Sequence, residues 1–437
     1  MISTLQINNY KSLHELTLDV GRFNVLIGEN GCGKSNVLEV IGLAAAAAAD
    51  KLDNEFLRSR GIRVTEPRLM RSAFDNENIE KPIQIQIKFE NLEELQKYTL
   101  INDNHDYASW IRDEFTNVAT TPQGSFIEQS KKTLSADDIR NVGLLLSAVY
   151  NAVDSIKNDK ARIAAKIALA VGAAYGTAHI VNSISKNSDT KYIEDFVEKK
   201  IESQTVIEHF SNVAMIEDIL TNFLIYAPEN TPLRNFSKEG QIEPLGINGE
   251  GLLKLLKVIQ SKSPEQLEEI VTCLELFDWF DGLHIPKDFS SYEDKVTITD
   301  RFLSTAFDQR SANEGFLFVL FYIALMVSDD TPKIFAIDNI DVALNPKMCT
   351  KLIKELVRLA KKYDKQVFVT THNPAILDGI DLGDDEQRLL VLSRNKAGHT
   401  RVKRIELKDK PRSSTDEELR LSEAFLRGYL GGLPKGF

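Results

Sequence analysis

The strongest chemical signal in the chain is the run Gly28-Glu29-Asn30-Gly31-Cys32-Gly33-Lys34-Ser35. Its spacing is glycine, four residues, then Gly-Lys-Ser, the phosphate-loop template. Glycines at 28, 31 and 33 let the backbone turn its N–H groups inward around phosphate oxygens. Lys34 then reaches the β- and γ-phosphates of a nucleotide, and the Ser35 hydroxyl binds Mg²⁺. Two further residues of the right chemistry stand far downstream, each closing an apolar run. Asp338 ends Ile334-Phe335-Ala336-Ile337, as suits an acid that holds Mg²⁺ through water. His372 follows Val367-Phe368-Val369-Thr370-Thr371, where an imidazole donates to a γ-phosphate or positions a water. A lone strand-end acid or histidine is commonly structural. The two in this order, downstream of a phosphate loop, point to nucleotide chemistry.

These residues need strands that end where they begin. Phe23-Asn24-Val25-Leu26-Ile27 is an apolar strand-like run entering the loop, and Asn36 to Ile41 with the alanines to Ala49 is the helix leaving it. Such a helix N-terminus favours an anion. Leu5 and Ile7, then Leu16, Leu18 and Val20, alternate with polar neighbours and predict a strand pair ahead of the loop. Ile83 to Phe89 alternates cleanly as a half-buried strand. Phe223–Tyr226 begins the return to the core, and further strands are expected at Lys295–Ile298, Lys333–Asp338, Gln366–Thr370 and Leu389–Leu392. Helices are expected at Leu252–Ile259, after Ser263-Pro264 (serine cap, proline in the first turn), and over Ser311–Val327. Strands alternating with helices give a mainly parallel α/β core. Between Asn91 and Asn222 glycine and proline become rare and helical patterns dominate, at Leu134–Lys157, Ala161–Ser185, Tyr192–Phe210 and Val213–Leu224. The expected organisation is therefore a first head lobe over 1–90, a helical insertion over 91–222 and a second head lobe over 223–437.

At 437 residues the chain exceeds one compact core. Its 43% hydrophobic and 27% charged content is that of a soluble globular protein. A formal net charge of −11 argues against general nonspecific DNA binding. Cys32, Cys273 and Cys349 show no metal-ligand spacing, and a thiol inside the phosphate loop fits a reducing compartment. The start Met1-Ile2-Ser3-Thr4 has no signal-peptide pattern. The most apolar stretch, Ile167–Val181, is short for a membrane span. A cytoplasmic protein without membrane contact is expected.

Taken together the motifs resemble the ATP-binding-cassette (ABC) ATPases of the RecF, structural-maintenance-of-chromosomes and OLD-nuclease group. Asn9-Tyr10-Lys11-Ser12 looks like that group's opening, where the basic residue approaches the phosphates. Gln84 looks like the Q-loop glutamine, Asn313-Glu314-Gly315 like the signature motif, and Asp341 to Pro346 like the D-loop segment. The resemblance covers about residues 1–90 and 226–437. It implies an ABC-ATPase head with a parallel sheet core and an antiparallel sheet, binding ATP and Mg²⁺. It assigns nucleotide contacts to Lys11, Asn30, Gly31, Gly33, Lys34, Ser35, Asn36, Asn313 and Gly315. Ser35, Gln84 and Asp338 go to the metal, and Asp338, Asp341 and His372 to hydrolysis. It also implies a homodimer or higher homo-oligomer, each ATP lying between the phosphate loop of one head and the signature of the other.

Two residues depart from the group's pattern. Asn339 stands where a glutamate normally serves as general base, a loss that typically costs about 10²–10⁴-fold in rate. Asp341 is the nearby carboxylate that can substitute. Asn313 stands in the signature serine's place. Slow hydrolysis follows, with ATP acting more as a dimer-closing ligand. About 65 of the 437 residues follow His372, too few for the Toprim domain of OLD nucleases, and no long heptad run marks a coiled coil. The chain is therefore similar to stand-alone ATPases of anti-phage systems such as Septu and PARIS, with a separate nuclease or toxin as effector. Two alternatives stay open. One is a RecF-like repair ATPase in which Arg58–Arg71 and Arg394–Arg404 contact nucleic acid. The other is an ATP-dependent scaffold that does not hydrolyse.

Overall fold

The computed structural model describes residues 1–90, 95–105, 108–113, 219–235, 244–286, 295–411 and 418–433. All but Asp113 belong to one compact unit, Met1–Arg112 with Glu217–Phe437. The helices expected over Leu134–Phe210, and the first half of Val213–Leu224, lie outside the described residues.

A six-stranded sheet forms the centre. Its order is β14 (Thr400–Ile405), β13 (Gln387–Arg394), β3 (Phe23–Gly28), β12 (Gln366–Thr371), β11 (Ile334–Ile337) and β7 (Ile225–Tyr226). All pairings are parallel except β13 with β14. Every residue of β3, β11 and β12 is buried, as expected of parallel strands covered on both faces. The one polar residue inside β3 is satisfied: Asn24 Nδ2 donates to Gly21 O and Val367 O, and its Oδ1 accepts from Gly21 N.

The longer helices follow their apolar patterns. α1 (Lys34–Ala48) leaves the phosphate loop. α2 (Leu252–Lys262) and α3 (Pro264–Leu274) pack beside α4 (Glu314–Val327), which is buried from Gly315 to its end. α5 (Pro346–Lys362) is amphipathic, burying Leu352, Ile353, Leu356 and Leu359. α6 (Leu421–Leu426) packs near the 3₁₀ turn Pro374–Gly379, where Ser422 Oγ donates to Asp378 at 2.7 Å. Proline opens α3 as expected, yet Ser263 makes no side-chain cap. Its backbone already turns there between two helices.

A second, five-stranded antiparallel sheet has the order β2 (Leu13–Asp19), β1 (Ile2–Tyr10), β4 (Ile83–Phe89), β5 (Gln96–Ile101) and β6 (Ile111–Arg112). It continues to Arg112, past the boundary expected at residue 90, because β4 offers β5 a free edge. A small sheet of β8 (Phe280–His284), β9 (Thr297–Asp300) and β10 (Phe307–Asp308) completes the unit. Gln366 ties the two large sheets together. Its amide donates to Ile2 O and Gly21 O and accepts from Ile2 N, all at 2.7–2.8 Å.

The arginine-rich stretch is largely structural. Buried Arg71 donates to Lys81 O, Asn102 O and Asn104 Oδ1, and Arg60 donates to Phe223 O. Among the described residues no helix is long and apolar enough to cross a membrane.

Candidate nucleotide-binding site

Three parallel strands deliver the site at one end of the central sheet. β3 ends in the phosphate loop, β11 in Asp338 and β12 in His372. Gly31 and Gly33 have φ of 75° and 107°, values that side-chain-bearing residues rarely take. Lys34 opens α1, and its Nζ donates to Gly28 O at 2.9 Å and Glu29 O at 3.1 Å. Burial lowers its pKa, against opposing pulls from Cys32, Asp338 and Asp341. Asn30 and Gly31 are exposed at the loop tip.

Ser35 Oγ lies 3.1 and 3.2 Å from the two carboxylate oxygens of Asp338. Residues 303 positions apart thus meet as two hard oxygen donors, which fits Mg²⁺. With the ion bound, Ser35 and Asp338 would hold it, and it would neutralise phosphate charge. Thr370 positions Asp338: its hydroxyl donates to the carboxylate and accepts from Asn339 N at 2.9 Å. Thr371 and the His372 backbone are fastened next door. Asp341 Oδ1 accepts from Thr371 Oγ1 at 2.6 Å and from His372 N at 3.3 Å. Burial and the Lys34 charge lower the His372 pKa, which favours the neutral imidazole with one donor and one acceptor.

Asn339 is exposed with φ of 56°. Asparagine visits this left-handed region more readily than other side chains, so the local backbone itself favours asparagine there. Asn313 serves as the N-cap of α4, accepting from Phe316 N at 2.8 Å. A Cβ on Gly315 would lie 2.8 Å from Ala343 O and 3.2 Å from Leu344 Cδ2. Gly315 therefore packs directly on the Asp341–Pro346 segment of its own chain.

Two expected contacts are relocated. Lys11 Nζ donates to Glu39 Oε2 at 2.6 Å and Arg63 O at 3.0 Å, because a buried carboxylate on α1 outcompetes open solvent for it. Gln84 stands within β4 with its side chain exposed, opposite Asn8. The alternation that buries Ile83, Ile85 and Ile87 turns Gln84 outward. Among the described residues no hydrogen bond joins it to Ser35 or Asp338.

Several residues that matter carry no sequence motif. Glu39 is 1% exposed and accepts from Tyr10 OH, Lys11 Nζ, Arg63 N and Arg63 Nε. Asn36, which the resemblance assigned to the nucleotide, donates to Ser12 Oγ and accepts from Arg63 Nη2. Thr400 and Arg394 reach the loop from β14 and β13. A glutamate inside the apolar face of α1 is the one signal that a partner had to exist.

The family model described as "AAA domain, putative AbiEii toxin, Type IV TA system" matches residues 23–378, more than half of the chain. The chain belongs to this AAA-domain family. The match takes in the phosphate loop, Asp338 and His372. An uncharacterized protein of Methanocaldococcus jannaschii, MJECL10, is 30% identical over 115 residues, 25% of this chain and 50% of that protein. The DNA replication and repair protein RecF of Staphylococcus epidermidis is 42% identical over 55 residues, 12% of this chain and 15% of RecF. The chain thus spans half or less of the curated relatives it matches. Among solved structures, an SMC head bound to the C-terminal winged-helix domain of ScpA aligns at a TM-score of 0.49 and 12% identity, over 93% of this chain and 98% of that one. An SMC head of Pyrococcus furiosus bound to the C-terminal domain of ScpA gives 0.46 and 13%, over 93% and 96%. The chain is thus a member of this AAA-domain family with an α/β core.

Proposed function

We propose that the protein binds ATP with Mg²⁺, that ATP draws two heads together, and that this closure controls a separate effector, a nuclease or toxin of bacterial anti-phage defence. The observation that carries the nucleotide part is the meeting of Ser35 with Asp338, at 3.1 and 3.2 Å, beside the Lys34 amine. Such a trio serves phosphate and Mg²⁺ and has little other use. In the closed pair each ATP is held by Lys34, Ser35 and the loop amides of one head and by Asn313 and Gly315 of the other. Asp338 and His372 line the γ-phosphate end. Hydrolysis is slow. Asn339 cannot take a proton from water at neutral pH, and one oxygen of Asp341 is already engaged by Thr371 and His372. The family description, which speaks of an AbiEii toxin and a type IV toxin–antitoxin system, agrees with an effector of that kind.

Light scattering on purified protein with Mg²⁺ and ATP, ADP or no nucleotide tests the reading. The expected result is a doubling of mass with ATP alone, abolished in Asp338→Asn. A mass indifferent to nucleotide refutes head closure. A steeply salt-dependent affinity for DNA without ATP supports the repair alternative instead.

A further inference from the structure

A phosphate loop turns its N–H groups toward the anion. Its carbonyls need donors too: Gly28 O and Glu29 O accept from Lys34 Nζ, and Gly31 O and Cys32 O accept from other side chains. Two of those donors come from a single place. Arg394 and Thr400 sit opposite each other across the β13–β14 ladder. Arg394 Nε donates to Gly31 O at 2.7 Å, and Thr400 Oγ1 lies 2.7 Å from Cys32 O. One cross-strand pair therefore holds two consecutive loop carbonyls.

Hydrogen-bond chemistry fixes the direction of the remaining contacts. Cys32 O only accepts, so the Thr400 hydroxyl gives its one proton there. Ser12 Oγ, 2.7 Å from Thr400 Oγ1, then donates to Thr400 and accepts from Asn36 Nδ2 at 2.8 Å. Asn36 Oδ1 accepts from Arg63 Nη2 at 3.2 Å. The relay runs from Arg63 through Asn36, Ser12 and Thr400 to the loop. Contact is close at the glycines as well. A Cβ on Gly33 would lie 2.4 Å from Thr400 Oγ1, and one on Gly28 would lie 2.2 Å from Leu392 O of β13.

We propose that the β13–β14 hairpin positions the phosphate loop, with Arg394 and Thr400 acting on nucleotide affinity through the loop backbone. The inference rests on the ATP-site reading above. Arg394 and Thr400 are positioning residues: they keep the Gly31 and Cys32 carbonyls turned out and the neighbouring amides turned in. Both the β-phosphate shared by ATP and ADP and the γ-phosphate of ATP depend on those amides. Losing the hairpin's grip therefore weakens the two nucleotides together.

Arg394 is exposed, so its replacement separates positioning from folding. Fluorescent ATP and ADP analogues are titrated into wild type, Arg394→Gln, Arg394→Lys, Thr400→Val and Thr400→Ser, and each is melted without nucleotide. Arg394→Gln is expected to weaken both nucleotides about tenfold, the value of one charge-assisted hydrogen bond, with an unchanged melting temperature. Arg394→Lys recovers part of the affinity. Thr400→Ser keeps wild-type affinity, whereas Thr400→Val weakens both nucleotides. Unchanged affinities in Arg394→Gln overturn the inference. So does a loss confined to ATP, which makes Arg394 a direct γ-phosphate contact. Wild-type protein that binds neither nucleotide overturns the ATP reading with it, whereas wild-type binding beside an unaffected Arg394→Gln overturns the inference alone.

Discussion

Glu39 gives the sharpest test of how the site is built. Its two oxygens accept four bonds: Tyr10 OH at 2.9 Å and Lys11 Nζ at 2.6 Å on one, Arg63 N at 3.2 Å and Nε at 2.6 Å on the other. In Glu39→Gln one oxygen becomes an NH₂ group. If the remaining oxygen keeps both Arg63 donors, the amide NH₂ faces Tyr10 and Lys11. Tyr10 can rotate its hydroxyl and accept, since a phenol does both. Lys11 cannot accept, and its side chain is only 14% exposed. It retains the Arg63 carbonyl but loses its counter-charge. Removing one partner of a buried pair costs about 3–5 kcal/mol, and the retained carbonyl places this case near 3. At about 2 °C per kcal/mol for a chain of this size, melting falls by roughly 6 °C. The double variant Lys11→Met with Glu39→Gln removes the stranded cation and is expected to regain about 2 kcal/mol. Thermal melts of the two single variants and the double one complete the cycle. A double variant as unstable as the sum of the singles refutes the argument, because the two side chains would then not be coupled.

Other outcomes follow from the same geometry. Lys365 is fully buried within 2.8–3.2 Å of four oxygens from Ser328, Thr331 and Pro332, and burial lowers its pKa from 10.5 to about 7. The unfolded chain then binds more protons than the folded one between pH 7 and 10.5, so stability rises with pH, by roughly 2 kcal/mol from pH 7 to 9. Urea unfolding reads this, and a flat profile in wild type shows that the carbonyl cage keeps the ammonium charged. Asn339→Glu is expected to raise ATP turnover about 100-fold while costing about 1 kcal/mol for a left-handed glutamate; unchanged phosphate release would move the base elsewhere. Gly315→Ala drives a methyl into Ala343 O and is expected to abolish ATP-dependent mass doubling while nucleotide affinity stays within about twofold, since in the proposed closed pair Gly315 meets the nucleotide of the opposite head. Light scattering and titration together check it.

What the sequence revealed depended on whether a residue's role was local. β3, β11 and β12 are buried on both faces, so they read as continuous apolar runs whose ends point to Lys34, Asp338 and His372. The phosphate loop is contiguous and its glycines have local reasons. Glu39 was silent for the opposite reason: its donors come from residue 10, residue 11 and residue 63, and only folding gathers them. Arg394 and Thr400 became legible only once the β13–β14 register was known. β5 shows a different failure. Gln96-Lys97-Tyr98-Thr99 carries no clean alternation, and the strand exists because β4 presents an edge to it. Gln84 and Lys11 show that a motif's spacing names residue types without fixing where their side chains go.

The basic residue of the opening motif is held by the protein's own groups. Asn9, Tyr10, Lys11 and Ser12 each hydrogen-bond to other parts of the protein. Asn9, at φ of 66°, donates to the carbonyls of Asn78 and Lys81 and accepts from Ser72 N. Tyr10 and Lys11 bind Glu39 on α1, and Ser12 bridges Asn36 and Thr400. The motif is thus a joint. It fastens the antiparallel sheet to the helix that follows the phosphate loop and to the edge of the parallel sheet, while Gln366 fastens the same two sheets at Ile2, the other end of β1. A loop held between two such fastenings cannot change shape around a phosphate without loading β1.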